Sequence, residues 1–151
     1  LLAYDAKWFL LPDRIVFPLI VFAALYAATE LVQASDLLLS ILSLVGAAFI
    51  LSGIYLLLWL ISRGKWIGFG DIKLGLALAL LLGQWELALL ALFLANLIGC
   101  IIVLPGLATK KLSRTTQIPF GPMLIIGFVV AALFGTGIID WYLSATSTLM
   151  L

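Results

Sequence analysis

Four long apolar runs, roughly 14–32, 37–62, 87–108 and 118–139, leave this chain little choice of solvent. A helix that crosses the hydrocarbon of a bilayer needs about 20 apolar residues, and these runs supply them. The composition agrees: 66% of residues are hydrophobic and only 10% are charged, where an ordinary soluble domain carries about 25% charged residues. The length of 151 residues suits one membrane domain. A fifth apolar stretch, 72–83, is short. As a helix it rises about 18 Å, against a hydrocarbon core of about 30 Å. It is expected to start below the surface, to extend through its flanking residues, or to sit where the bilayer is thinned.

Charge fixes how these segments are threaded. All eight basic residues fall in three clusters: Lys7 and Arg14; Arg63, Lys65 and Lys73; Lys110, Lys111 and Arg114. Alternate threading of five segments brings the three clusters to one side. The opposite loops then hold Glu30, Asp36, Glu86 and Asp140, and no Lys or Arg. By the positive-inside rule the basic side is cytoplasmic. Asp5, Asp13 and Asp71 fall on that side together. Leu1–Tyr4 reads as the last turn of a helix that begins upstream.

Several functions lose their equipment. A net charge of +1 gives no case for a nucleic-acid partner, and the lack of His removes His-based triads and the commonest metal ligand. Cys100 is the one cysteine, so no disulfide framework or Cys-rich zinc site is available. A buried packing role is expected for it. No cofactor or metal is called for. Gly75, Ala79 and Gly83 recur every four residues, a small-residue stripe that lets helix backbones approach. Gly46 with Gly53, and Ala95 with Gly99, could serve in the same way. Asn96, in mid-membrane, is expected to hydrogen-bond across a helix interface.

Chemistry is concentrated where carboxylates meet the membrane surface. An ionisable residue at the mouth of an apolar helix is costly and is a candidate functional group. Asp71 follows Gly68-Phe69-Gly70 and opens the short helix, where an N-cap role is the plain alternative. The two glycines permit backbone conformations closed to other residues. Lys73 reads most simply as a basic residue at the cytoplasmic edge. Asp5 lies upstream, with six residues, Ala6 to Leu11, between it and Pro12-Asp13. Asp13 is placed to cap the helix that begins near Arg14. Asp5 has no cap to make; it sits where the negative end of a helix dipole disfavours an anion. A third element, Ile118-Pro119-Phe120-Gly121-Pro122, follows a polar loop, and its prolines and glycine argue against a regular helix start. It reads either as a helix-entry turn or as irregular backbone lining a cleft.

At these residues a family resemblance becomes specific. Gly68–Leu74 resembles the Gly-x-Gly-Asp-x-Lys-Leu motif of the type IV prepilin peptidases. Asp5 with Pro12-Asp13 is similar to that family's first aspartate motif, and Ile118–Pro122 to its Ile-Pro-Phe-Gly-Pro segment. Three motifs in family order at one membrane face are a strong signal, and the resemblance covers nearly the whole chain. It implies an all-α polytopic bundle of about five to six helices, with the Gly-x-Gly-Asp aspartyl protease fold. It implies one membrane peptidase domain, 1–151, lacking an upstream helix and any N-terminal cytoplasmic domain. It implies Asp5 and Asp71 as the catalytic pair, with Gly68, Gly70, Lys73, Pro12 and Asp13 in support and Ile118–Pro122 at the substrate cleft. The substrates would be prepilins or pseudopilins cleaved at the cytoplasmic face of a prokaryotic plasma membrane. Many bacterial members also methylate the new N-terminus with S-adenosylmethionine and carry a domain with paired cysteines; nothing in this sequence matches that domain. Two other readings use the same residues: a proton-coupled transporter with the aspartates as relay, and a non-catalytic membrane subunit of a pilus or secretion machine.

Overall fold

The computed structural model describes residues 11–108 and 120–149, with side chains at 11–105 and 120–147. Every regular element there is helical. Helix α1 spans Asp13–Gln33. A continuous helical stretch from Leu37 to Ser62 comprises α2 (Leu37–Ala48), a π-helical turn (Phe49–Gly53) and α3 (Ile54–Ser62). Then follow α4 (Phe69–Leu82), α5 (Trp85–Ala108) and α6 (Gly121–Leu149). Four stretches, Asp13–Gln33, Leu37–Ser62, Trp85–Pro105 and Gly121–Ser147, are long and apolar enough to cross a membrane. The short fifth helix forms as expected, and its 14 residues reach about 21 Å.

The bundle is solvated like a membrane protein. Its buried positions are rich in alanine, including Ala23, Ala47, Ala77, Ala79, Ala88, Ala91 and Ala95, while Phe22, Val32, Ile61, Leu133 and Trp141 point outward. Between helices in lipid there is little hydrophobic drive, so close contact of small residues carries the packing. Helix α1 packs against α4, and α5 against α6. A Cβ on Gly127 of α6 would lie 2.5 Å from the Ala91 carbonyl oxygen of α5. That contact requires glycine.

The π turn is the structural centre. One extra residue in a turn lets the Leu51–Ser52 backbone bulge toward α4. A Cβ on Gly75 would fall on the Leu51 carbonyl oxygen, so α4 comes into backbone contact there. Ser52, itself buried, donates from Oγ to the Ile72 carbonyl oxygen at 3.0 Å. The helix that carries Asp71 is therefore fixed in height against the long helical stretch.

The small-residue stripe is only partly a packing stripe. Gly75 and Ala79 are buried, but Gly83 has open space around it and ends α4 with φ 68°. Left-handed backbone at a C-cap is its reason for being glycine. Gly53 meets the Phe49 ring of its own helical turn, whereas Gly46 meets Trp85 and Gly99 meets Met123. Asp140, expected in a loop, lies inside α6, which continues past the hydrophobic run. At 29 residues that helix is about 43 Å long, more than the hydrocarbon core, so its polar end can emerge without breaking.

Contacts among the described residues agree with the alternate threading; Lys7, Lys110, Lys111 and Arg114 lie outside those residues. The end of α1, the start of α2, the end of α4 and the start of α5 surround one cavity. At the other end the starts of α1 and α4 meet the end of α3 through Asp13, Lys73, Phe69 and Trp59.

Gly75→Ala should be the most damaging methyl that can be added to the bundle: a loss of about 3 kcal/mol, or failure to assemble, by overpacking of backbone. Thermal unfolding in detergent checks this. Gly137→Ala, where a Cβ meets nothing, is the control and should unfold as the unmodified protein does.

Candidate active site

The turn between α3 and α4 sets the site. Arg63 takes a left-handed conformation, φ 52°, and Gly64 follows at φ 76°. The Gly64 N–H closes on the Trp59 carbonyl at 2.9 Å. The Ser62 Oγ accepts from the Trp66 N–H at 3.3 Å. The chain reverses, and Trp59 stacks obliquely on Phe69 with ring centroids 5.5 Å apart. That pair holds the first turn of α4 against the end of α3.

Gly68, not Asp71, is the N-cap of α4. Asp71 is the third helical residue, and its N–H donates to the Gly68 carbonyl at 3.1 Å. Its Oδ2 turns back over Gly68, 3.5 Å from where a Cβ there would stand. This carboxylate is half-buried at the positive end of the helix dipole. Gly70 lies within the helix without a positive φ, so conformational freedom is not its role. Its constraint is space: a Cβ would stand 3.0 Å from the Leu11 Cβ. The segment before α1 thus presses directly on the Gly-x-Gly-Asp turn.

The first motif reaches the second through an ion pair. Pro12, not Asp13, caps α1; its carbonyl accepts from Ile15 and Val16 at 2.9 and 3.1 Å. Asp13, freed from capping, accepts from Lys73 Nζ at 2.7 Å. Lys73 is more than an edge lysine. Its side chain is 19% exposed, and its ammonium lies 4.9 Å from the Phe17 ring centre and 5.1 Å from that of Phe69, within cation–π range. Pro12, Asp13, Gly68, Gly70, Asp71 and Lys73 are therefore one cluster at one end of the bundle. Asp5, Ile118 and Pro119 lie outside the described residues.

Phe120 belongs to the same end. Its carbonyl accepts the Leu124 N–H at 3.0 Å, so α6 starts regularly at Gly121 with Pro122 in its first turn. The expected irregular start does not extend to Gly121 and Pro122, because N–H groups of a first helical turn have no intrahelical partner to lose. The Phe120 ring packs obliquely on Tyr55 at 5.3 Å. Tyr55, to which no sequence motif points, is buried against Phe120. One apolar-looking tyrosine in a leucine-rich helix gave no signal in the sequence.

Two other expectations change. Asn96 donates to the Leu92 carbonyl of its own helix at 2.8 Å, and its side chain approaches Tyr55 of α3 without completing a hydrogen bond across the interface. Cys100 is exposed rather than buried. Both line a cavity of about 270 Å3 beside Phe120. A larger cavity, about 690 Å3, lies at the far end, where Glu30 and Glu86 are exposed. It touches none of the motif residues. No group of His, Cys, Asp and Glu among the described residues could hold a metal.

The chain matches the type IV leader peptidase family over residues 1–104. It belongs to that family. The matched region contains both aspartate motifs, and Phe120–Pro122 lies beyond it. Among curated relatives, a prepilin leader peptidase/N-methyltransferase of Legionella pneumophila is 37% identical over 89% of this chain and 46% of its own length. Proteins of the same name from Pseudomonas aeruginosa and Bacillus subtilis are each 32% identical over 92% of this chain, and 47% and 53% of their own lengths. The chain spans about half the length of these leader peptidase relatives. No solved structure matches it.

The ion pair that joins the motifs should be worth little by itself. Asp13 is 58% exposed, and exposed pairs contribute at most about 1 kcal/mol. A double-mutant cycle with Asp13→Asn and Lys73→Met, read by thermal unfolding, should give a coupling below about 1 kcal/mol. A larger value would mean that the pair lies in a drier environment than its exposure implies.

Proposed function

We propose that this chain is a membrane-embedded aspartyl endopeptidase that cleaves the leader of prepilin-like proteins, with Asp71 and Asp5 as the catalytic pair. The observation that carries the reading is the fixed placement of Asp71 in the first turn of α4, joined through Lys73 to the Pro12-Asp13 end of the first motif. Asp5 is seven residues from Pro12 in the chain, and Leu11 already touches Gly70. The contact of Leu11, six residues after Asp5 in the chain, with the Gly-x-Gly-Asp turn supports the pairing.

Two carboxylates at close range share one proton near neutral pH, because both cannot ionise cheaply. The ionised member takes a proton from water, and the water oxygen attacks the scissile carbonyl. The protonated member gives its proton to the leaving nitrogen as the C–N bond breaks. The basic residues Arg14, Arg63, Lys65 and Lys73 gather at this end, which supports a cytoplasmic orientation by the positive-inside rule. A transporter would need polar groups along a path. Here the charged side chains of the cluster stay at one end.

Incubation of the purified protein with a prepilin-like peptide in detergent should release the leader. Asp71→Asn and Asp5→Asn should each lower cleavage by at least about a thousandfold, while the thermal unfolding midpoint stays within a few degrees. Cleavage by Asp71→Asn at the unmodified rate would overturn the assignment.

A further inference from the structure

The Tyr55 hydroxyl is the unexplained polar atom in the site. Tyr55 is 6% exposed, and its oxygen is buried with no hydrogen-bond partner among the described residues. A buried hydroxyl left unpaired costs about 1–3 kcal/mol. The Asn96 side chain approaches it, and the Asp71 carboxylate is near enough to act on it electrostatically. Neither closes a hydrogen bond with it by distance and angle: the Asn96 amide nitrogen is bonded to Leu92, and the Asn96 amide oxygen, though its side chain approaches the hydroxyl, does not accept its proton. The hydroxyl therefore stands between the helix of Asp71, the middle of α5 and the start of α6, where Phe120 packs on its ring. Asn96 and Phe120, its neighbours, also wall the 270 Å3 cavity, together with Gly99, Val103 and Met123.

A peptidase working at this depth needs what that hydroxyl offers. A scissile bond inside a helix is shielded by its own hydrogen bonds, so the substrate must unwind before attack. Each unwound carbonyl in a membrane then needs a donor. Donors near Asp71 are largely committed: Ser52 Oγ to Ile72, Lys73 to Asp13, Asn96 Nδ2 to Leu92. The Tyr55 O–H is the buried donor among them with no bond made.

We propose that Tyr55 is a substrate-binding residue whose hydroxyl donates to an unwound backbone carbonyl of the substrate next to the scissile bond, with the neighbouring cavity receiving an adjoining apolar side chain. This rests on the peptidase reading. The unpaired hydroxyl is a cost that the free protein bears and that substrate relieves.

The test is Tyr55→Phe, which keeps the ring on Phe120 and removes one oxygen. For a prepilin-like peptide in detergent, kcat/KM should fall roughly tenfold. The thermal unfolding midpoint without peptide should be unchanged or raised, since an unsatisfied group has been deleted. In the Asp71→Asn background, which retains peptide uncleaved, the peptide should raise the midpoint, and Tyr55→Phe should shrink that rise. Cleavage by Tyr55→Phe equal to that of the unmodified protein overturns the inference and leaves the peptidase reading standing. So does a lowered midpoint with an undiminished peptide-induced rise, which would make the hydroxyl structural. Absence of cleavage and of any peptide-induced shift in proteins with Tyr55 intact would overturn the peptidase reading, and this inference with it.

Discussion

Backbone contact between Leu51 and Gly75 is the constraint on which the site depends. The contact needs two things at once: a helix that swells by one residue at Phe49–Gly53, and a partner position with no side chain. Ser52 then adds a buried hydrogen bond to Ile72. Since Ile72 follows Asp71 directly, this bond sets the height of the carboxylate against α3. In lipid such contacts replace the hydrophobic effect as the source of helix order. The short helix is thereby anchored by backbone contact as well as by its apolar side chains.

Electrostatics at the same end binds the motifs without much energy. Lys73 faces Asp13 and two aromatic rings, which orients the start of α1 relative to α4. Its value is positional. The ammonium also keeps positive charge two residues from Asp71, at the surface where an anionic carboxylate would otherwise be poorly solvated. Leu11 against Gly70 makes the second link between the segments. Both links bring the chain at Leu11 and Asp13 to the Gly-x-Gly-Asp turn.

The architecture was legible because hydropathy and charge are coarse and redundant signals. The four spans, the short fifth helix and the one-sided clustering of Arg14, Arg63, Lys65 and Lys73 all follow from them. Local roles were harder. Asp71 and Asp13 both suit an N-cap by residue type, yet each stands one to three positions inside its helix rather than at the cap. Gly70 and Gly83 look alike in sequence. One is held by a neighbouring leucine and the other by its own backbone angle. Asn96 and Cys100 were placed by hydrophobic context, which says how deep a residue lies but not which face of α5 it occupies. The π turn and the stranded hydroxyl of Tyr55 depend on where α4 crosses the long helix, and no local pattern encodes that crossing.

Intramolecular crosslinking measures whether Asp5 and Asp71 converge. Cys100 is the one native cysteine, so Cys100→Ser gives a clean background for Asp5→Cys with Asp71→Cys. A short thiol-reactive bridge, spanning under about 10 Å, should join the two positions within one molecule, in membranes as well as in detergent. Efficient labelling of both cysteines without an intramolecular bridge, in protein that still unfolds cooperatively, would contradict the account.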